Sequence, residues 1–324
     1  MVFLKYRLAK TLHFLNQREY VFTTSAYNLP CFCSGVDGKD MLLFFNGLFI
    51  DRNGVNSLTI FVMPTLSITT IQSDLVWEEK SANLHLLEKK IAGIPEKTEI
   101  VVLPEMFSTG FSMRPELLAE TMEGETVEWM RRVSAENAVV LTGSIIIEEE
   151  GKYFNRLIWM LPNGQYGYYD KRHLFAYGEE DKHYTAGNKR LIASVKGWKI
   201  NLQVCYDLRF PVWARQQSSA QGPEYDVLIY VANWPERRSH AWKTLLCARA
   251  IENQCYVVGV NRVGNDGNNV YHSGNSLVID PLGQVLYHMA DAEDIFTIAL
   301  QKEMLEEVRS KFPFWKDADG FNIQ

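Results

Sequence analysis

The sequence lacks the features by which several large classes of protein are identified. No stretch of its 324 residues approaches the ~20 consecutive apolar residues of a membrane helix. Basic residues are not in excess, because 33 lysines and arginines stand against 39 aspartates and glutamates, for a net charge of −6 at pH 7. We therefore expect neither nucleic acid nor an anionic membrane as a partner, since both select a basic surface. The opening MVFLKYRLAK places charges where a signal peptide has its apolar stretch.

Cysteine is also sparse and shows no pattern. The five cysteines, an odd number, lie at positions 31, 33, 205, 247 and 255. A secreted disulfide scaffold would be short and dense in cysteine, so we expect free thiols and a cytoplasmic protein. Cys31 and Cys33 lack the spacing of a zinc knuckle and no second pair follows them. A metal-binding protein is therefore a weak alternative, and no metal site is predicted.

The composition that is present predicts a large folded core, with 47% hydrophobic and 12% aromatic residues. Residues 1–62 differ from the rest, because they carry six basic and four acidic residues while the remainder is net acidic. We predict an N-terminal extension over residues 1–62 and a single catalytic domain over residues 63–324. The apolar run Met41–Ile50 predicts a strand or a hairpin, and it leaves open the alternative that the extension packs on the domain.

From Leu66 onward, short β-branched runs alternate with helical patterns. The periodicity predicts helices at Ser81–Ala92, Val127–Asn137, Ser239–Gln254 and Gln301–Lys311. It predicts strands between them, including Leu66–Ile71, Glu99–Leu103, Val139–Ile147, Tyr153–Leu161, Gln165–Lys171, Ile200–Val204, Asp226–Ala232, Tyr256–Asn261, Ser276–Ile279 and Ile295–Leu300. Strands mixed with helices in this way indicate an α/β fold in which helices cover sheets.

Three polar residues each end one of these apolar strands: Glu105, Lys171 and Cys205. In open α/β sheets, ligand sites gather beyond the carboxyl ends of the strands. A cysteine there can act as a nucleophile, a glutamate can take its proton, and a lysine can stabilise a developing oxyanion. Taken singly, each has a simpler explanation as a buried thiol, a capping or ion-paired carboxylate, and a solvated ammonium.

Together the three segments form a specific signature. The runs Leu103-Pro104-Glu105-Met106-Phe107, Asp170-Lys171-Arg172-His173-Leu174 and Val204-Cys205-Tyr206-Asp207-Leu208-Arg209-Phe210-Pro211 resemble the motifs of the carbon–nitrogen hydrolase (nitrilase) superfamily. Ala232-Asn233-Trp234-Pro235 and Asn261-Arg262-Val263-Gly264 are also similar to that family. The resemblance spans roughly residues 64–316, in the order that the family has.

The resemblance implies a four-layer α-β-β-α sandwich with a Glu–Lys–Cys triad, assembled as a homodimer. It assigns Cys205 as nucleophile, Glu105 as general base and acid, and Lys171 with the backbone N–H of Tyr206 as the oxyanion donors. A second family glutamate would fall on Glu179, although its neighbour Glu180 leaves that assignment open. No metal or organic cofactor is expected, because a thiolate and a carboxylate suffice for acyl transfer.

Finer similarity points to the omega-amidase branch, through Pro104–Phe111 and Ile71–Trp77. Such enzymes hydrolyse the terminal amide of 2-oxoglutaramate or 2-oxosuccinamate. Their substrate has a free carboxylate, which arginine binds well, so Arg209, Arg237 and Arg238 are candidates to bind it. Trp234 is a further candidate substrate contact. Arg209 has the alternative of a structural ion pair. The competing functions are an aliphatic amidase, a nitrilase, a carbamoylase or a scaffold without activity.

Overall fold

The computed structural model describes residues 43–45, 48–50, 64–219 and 222–323. The chain divides into two units, Met1–Met63 and Pro64–Gln324, and each is described by itself. In the first unit, strands β1 (Leu43–Phe45) and β2 (Leu48–Ile50) pair in an antiparallel hairpin. The Met41–Ile50 run therefore contains the hairpin that was one of its two predicted forms. The rest of the predicted extension lies outside the described residues.

The second unit alternates strands and helices along the chain. Its strands are β3 (Thr65–Gln72), β4 (Ile100–Val102), β5 (Val140–Glu149), β6 (Lys152–Met160), β7 (Tyr166–Asp170), β8 (Leu191–Val195), β9 (Trp198–Val204), β10 (Ser218–Ser219), β11 (Gly222–Pro223), β12 (Val227–Ala232), β13 (Tyr256–Asn261), β14 (Val263–Asn265), β15 (Tyr271–Ile279), β16 (Val285–Ala290) and β17 (Asp294–Gln301). Its helices are α1 (Lys80–Ala92), α2 (Pro115–Leu118), α3 (Glu125–Asn137), α4 (Glu180–His183), α5 (Pro211–Ala214), α6 (Ser239–Asn253) and α7 (Lys302–Lys311).

Two mixed sheets form the centre of this unit. Among the described residues, the first has the strand order β17-β3-β4-β5-β6-β7, and the second has the order β14-β15-β13-β12-β9-β8 with β16 paired to β15. Strands β3, β4 and β5 run parallel in the first sheet, as do β9, β12 and β13 in the second. Their carboxyl ends therefore gather at one edge of each sheet, which is where a ligand site is expected.

The two sheets pack face to face and helices cover their outer faces. Ile68, Val102 and Leu157 of the first sheet share one buried core with Leu202 and Tyr230 of the second. On the far side of the first sheet, apolar residues of β4 and β5 pack against α1 and α3 in a separate cluster that includes Leu84, Val101, Val127, Met130 and Leu141. The α-β-β-α sandwich implied by the sequence resemblance is thereby confirmed.

Helix α6 covers the second sheet at close range. A Cβ placed on Gly259 in β13 would lie 2.5 Å from Leu246 and 2.9 Å from Trp242, so only glycine fits beneath this helix. This close packing of α6 on β13 brings the amino end of α6, and the turn that precedes it, next to the carboxyl ends of β12 and β13.

Across the parts of the chain described above, no helix is long and apolar enough to cross a membrane.

The periodicity located most long elements but missed several short ones. It did not predict β8, β16 or the three-residue β14, nor the four-residue helices α2, α4 and α5. The four-residue helices span little more than one turn, and β8 and β16 bury few of their side chains, so none of these elements shows a sustained hydrophobic period.

Candidate active site

The carboxyl ends of β4, β7 and β9 deliver three side chains to one buried position between the sheets. Glu105 follows β4 by three residues, Lys171 follows β7 directly, and Cys205 follows β9 directly. Lys171 Nζ lies 2.9 Å from Glu105 Oε1, and neither side chain is exposed to solvent. Cys205, 9% exposed, shares a cavity wall with Lys171.

A second carboxylate completes this cluster, and it belongs to Glu180. Lys171 Nζ lies 3.1 Å and 2.9 Å from the two carboxylate oxygens of Glu180, which is fully buried at the start of α4. The backbone N–H of Phe175 donates to Glu180 Oε2 over 2.6 Å. Glu179 instead lies on the surface and pairs with Lys182 at 2.5 Å. The count of eight residues beyond Lys171 thus selected the wrong one of two adjacent glutamates.

The reason is local backbone geometry. Glu179 has φ of 62°, in the left-handed region, between a 3₁₀ turn (Ala176–Gly178) and α4. This reversal turns successive side chains in different directions, so Glu180 enters the core while Glu179 remains outside. Sequence spacing alone contains no information about such a reversal.

Two asparagines hold the Glu105 carboxylate in place, and neither was singled out from the sequence. Asn155 Nδ2 in β6 donates to Glu105 Oε1 over 2.8 Å and lies 3.1 Å from Glu180 Oε1. The backbone N–H of Asn233 donates to Glu105 Oε2 over 2.8 Å, and its side chain donates to the Glu105 carbonyl oxygen over 2.5 Å. Asn233 did lie within a quoted motif. Asn155 lies beside Arg156 in a strand of mixed composition, so no local pattern distinguishes it.

Cys205 has a strained backbone that a tight turn maintains. Its φ is 44°, an unfavourable value for a residue with a side chain. Asp207 fixes the turn, because its Oδ2 accepts hydrogen bonds from Val204 N at 3.0 Å and from the Tyr169 hydroxyl at 2.7 Å. The sulfur of Cys205 lies 4.0 Å from the carbonyl oxygen of Asn233. The turn therefore presents the thiol to the cavity at the end of β9.

The charges in the cluster depend on one another. Burial disfavours the ammonium of Lys171, yet the carboxylates of Glu105 and Glu180 raise its pKa and keep it charged. Burial also raises the pKa of Glu180, an effect that the Lys171 charge opposes. For Cys205, burial and the negative charge of Glu105 raise the pKa of the thiol, while Lys171 acts in the opposite direction. The resting thiol is therefore protonated and needs an adjacent base.

A cavity of about 220 Å³ opens from this cluster to the surface. Aromatic side chains form part of its walls, and the Phe175 and Tyr206 rings pack edge to face at a centroid distance of 5.0 Å. The Trp234 ring lines another wall and is 4% exposed, and its Nε1 donates to the carbonyl oxygen of Arg238 over 2.9 Å. Such a cavity admits a small linear molecule whose reactive end faces Cys205.

Arg209, Arg237 and Arg238 also line the cavity. The Arg209 guanidinium lies 5.0 Å from the Trp234 ring centroid. It makes no ion pair with the residues that the structure describes. The structural ion pair considered for Arg209 is thus not found there.

Within the same described ranges, no group of three or more His, Cys, Asp or Glu side chains is arranged to hold a metal ion.

The arrangement is suited to acyl transfer. A buried thiol, a carboxylate fixed by two asparagines and a permanently charged ammonium supply a nucleophile, a proton acceptor and a positive charge for an oxyanion. The cavity supplies a place for the acyl group. Nothing in this chemistry requires a redox group or a nucleotide.

Comparison with known proteins agrees with this geometry. The model of the carbon-nitrogen hydrolase family matches residues 66–310. The chain is 44% identical to omega-amidase YafV of Escherichia coli K12 over 264 residues, which is 81% of this chain and 100% of that protein. It is 31% identical to the 2-oxoglutaramate amidase of Bacillus subtilis, over 78% of this chain and 96% of the other.

A solved structure has the same fold. XC1258 from Xanthomonas campestris, described as a CN-hydrolase superfamily protein with an arsenic adduct in its active site, aligns with a TM-score of 0.79 at 42% identity. The alignment covers 81% of this chain and 100% of XC1258. The family match covers more than half of the chain and agrees with the motifs, the sandwich and the buried Glu–Lys–Cys cluster. The chain belongs to the carbon–nitrogen hydrolase family.

Proposed function

We propose that this protein is a thiol-dependent omega-amidase, which hydrolyses the terminal amide of a short dicarboxylic monoamide such as 2-oxoglutaramate or 2-oxosuccinamate. The observation that carries the proposal is the contact of Glu105 with Lys171, which lines a cavity together with Cys205. The omega-amidase and the 2-oxoglutaramate amidase among its relatives support the choice of substrate class.

In the first half-reaction, Cys205 attacks the carbonyl carbon of the amide while Glu105 takes the thiol proton. A C–S bond forms, and the carbonyl π electrons move to the oxygen. The oxyanion is stabilised by the charge of Lys171 and by the backbone N–H of Tyr206. Glu105 then returns the proton to the amide nitrogen, the C–N bond breaks, and ammonia leaves a thioester on Cys205.

In the second half-reaction, water takes the place that ammonia vacated. Glu105 removes a proton from the water, whose oxygen attacks the thioester carbon. The C–S bond breaks, the sulfur recovers the proton from Glu105, and the dicarboxylate is released. One carboxylate thus serves as base and acid in turn, which agrees with its fixation by Asn155 and Asn233.

Glu180 has a supporting role in this scheme. Its carboxylate accepts from Lys171 through both oxygens, so it holds the ammonium in position and preserves its charge. Glu180 is therefore a positioning residue that acts through Lys171. Trp234 forms part of the wall against which the substrate chain packs.

The homodimer and the cytoplasmic location implied by the sequence remain proposals. Light scattering of the purified protein tests the first, and fractionation of cells that express it tests the second.

The activity is tested with purified full-length protein and a panel of amides. Release of ammonia is measured for 2-oxoglutaramate, an aliphatic amide, a nitrile and an N-carbamoyl amino acid. We expect the highest kcat/KM with 2-oxoglutaramate. A higher kcat/KM with the nitrile or the carbamoyl compound would place the protein in another branch of the family.

A further inference from the structure

The cavity beside Cys205 has an unbalanced positive charge. Lys171 is neutralised by Glu105 and Glu180. The cavity wall has three further cations, Arg209, Arg237 and Arg238, and one carboxylate, that of Asp266. Asp266 is already engaged, since its Oδ1 accepts the backbone N–H groups of Asn268 and Val270. In the described parts of the chain, none of the three guanidiniums has an ion-pair partner.

Arg238 differs from its neighbour Arg237 in burial and in contacts. Arg238 is partly buried, whereas Arg237 is exposed. The Arg238 guanidinium lies 5.2 Å from the centroid of the Phe175 ring, which shares the cavity wall. Its carbonyl oxygen accepts the indole N–H of Trp234. The aromatic wall therefore holds Arg238 facing the space that a substrate would occupy.

The charge of Arg238 is poorly compensated at this position. Burial lowers the pKa of its guanidinium, and the nearby charges of Arg209 and Arg237 lower it further. A partly desolvated cation without a carboxylate partner is unfavourable unless an anion completes it. Arg238 also precedes the first residue of α6, a 15-residue helix whose amino end has a partial positive charge. Each feature favours the binding of an anion next to Arg238.

We infer that Arg238 binds the free carboxylate of the substrate, at the end opposite the amide that Cys205 attacks, and so selects anionic ω-amides over neutral ones. Arg209 adds positive charge to the same wall. The inference rests on the proposed amidase function, because it assigns one end of the same substrate. It places the specificity determinant in the turn Glu236–Arg238, outside the Glu–Lys–Cys cluster.

The test compares two substrates that share the amide and the carbon chain, one with a charged distal group and one with a neutral distal group. Glutaramate and its methyl ester carry the same amide, and kcat/KM for ammonia release is measured for each with the full-length protein. The wild type is expected to show a kcat/KM for glutaramate at least about tenfold above that for the ester, since losing a hydrogen bond to a charged group weakens binding by at least about that factor. In Arg238→Gln, the ratio of acid to ester is expected to fall about 10- to 100-fold, mainly through KM.

Two further variants separate direct contact from general electrostatics. Arg237→Gln removes the same charge one residue away and is expected to keep the ratio within about threefold, because Arg237 is exposed and solvent weakens the effect of its charge. Arg238→Lys keeps the charge but loses the two-pronged guanidinium, so its ratio is expected to lie between those of the wild type and Arg238→Gln.

Several results would overturn the inference. If Arg238→Gln lowers kcat/KM equally for acid and ester, the residue has a structural role only. If Arg237→Gln lowers the ratio as much as Arg238→Gln, the effect is one of net charge. If the wild type hydrolyses both amides without preference, no carboxylate site exists, and the amidase function stands without it. If it releases ammonia from neither of them nor from 2-oxoglutaramate, the proposed function fails first.

Discussion

Lys171 donates to both carboxylate oxygens of Glu180, at 3.1 Å and 2.9 Å, in a position from which solvent is excluded. In the proposed reaction, Glu105 becomes neutral when it takes the thiol proton, and Glu180 is then the carboxylate that compensates the buried ammonium of Lys171. The contact therefore links a fourth residue to the charge that we propose stabilises the oxyanion.

Glu180→Gln is expected to lower kcat by about 10²- to 10³-fold, because the Lys171 charge is no longer held as an oxyanion donor. Glu179→Gln is the matched control, since Glu179 lies on the surface with Lys182. It should keep kcat within about twofold and stability within ~0.5 kcal/mol. Steady-state kinetics measures kcat for both variants, and circular dichroism checks that each variant is folded. Equal loss in both variants would contradict the assignment of Glu180.

Cys205→Ala is expected to abolish turnover while preserving the fold, because the nucleophile is lost with little change in volume. Cys247→Ala is the control, since Cys247 is a free thiol in α6, away from the residues that line the cavity. It should retain wild-type kcat. Mass spectrometry during turnover should reveal a thioester adduct on the wild type and none on Cys205→Ala. A retained rate in Cys205→Ala would refute the covalent mechanism.

Glu105→Gln is expected to lower kcat by about 10²- to 10⁴-fold, because proton transfer from the thiol and to the leaving group is lost. The substitution also removes a negative charge that raises the pKa of Cys205. Alkylation of Cys205 by iodoacetamide should then reach its half-maximal rate at lower pH than in the wild type. A pH profile of alkylation that did not move, together with normal turnover, would remove Glu105 from the mechanism.

His272 should make the protein less stable in mild acid. Burial, with the positive charge of Arg262, lowers the pKa of His272 to about 4 from 6.5. The unfolded chain therefore binds this proton more tightly than the folded one. Between pH 6.5 and pH 4, the free energy of unfolding should fall by about 1.4 kcal/mol per pH unit from this group, and no further fall from it occurs below.

His272→Gln removes the titrating group, so its free energy of unfolding should decline less steeply than that of the wild type. Between pH 7 and pH 5, the difference in decline is expected to be about 2 kcal/mol. Urea denaturation at both pH values measures it. Parallel declines in the two proteins would show that His272 is not a source of acid sensitivity.

A protein that begins at Met63 is expected to fold and to keep wild-type kcat/KM. The family match starts at residue 66, and the unit boundary falls between Met63 and Pro64. Pro64 should be retained, because its carbonyl oxygen accepts the Trp198 indole N–H over 3.0 Å. Kinetics and thermal unfolding of the two proteins are compared. Aggregation or inactivity of the shorter protein alone would make residues 1–62 part of the folded domain.

The sequence by itself determined the order of most elements and the identity of the three side chains that meet in the Glu–Lys–Cys cluster. The alternation of β-branched runs with helical periods predicted the long strands of both sheets, because the buried apolar residues of a helix or strand recur with the period of its backbone. Glu105, Lys171 and Cys205 each follow such a run, so their type and position were readable without coordinates.

Tertiary structure decided which residues surround Glu105, Lys171 and Cys205. Glu179 and Glu180 are adjacent in sequence, and only the left-handed backbone at Glu179 sends the second one to Lys171. Asn155 reaches Glu105 from a strand that lies 50 positions further along the chain, a contact that no local pattern encodes. Arg238 and Arg237 are likewise equivalent in sequence, and they differ because an aromatic wall buries one of them. Periodicity reports which faces are buried, whereas the direction of a single side chain depends on backbone torsions and distant neighbours that exist only in the folded chain.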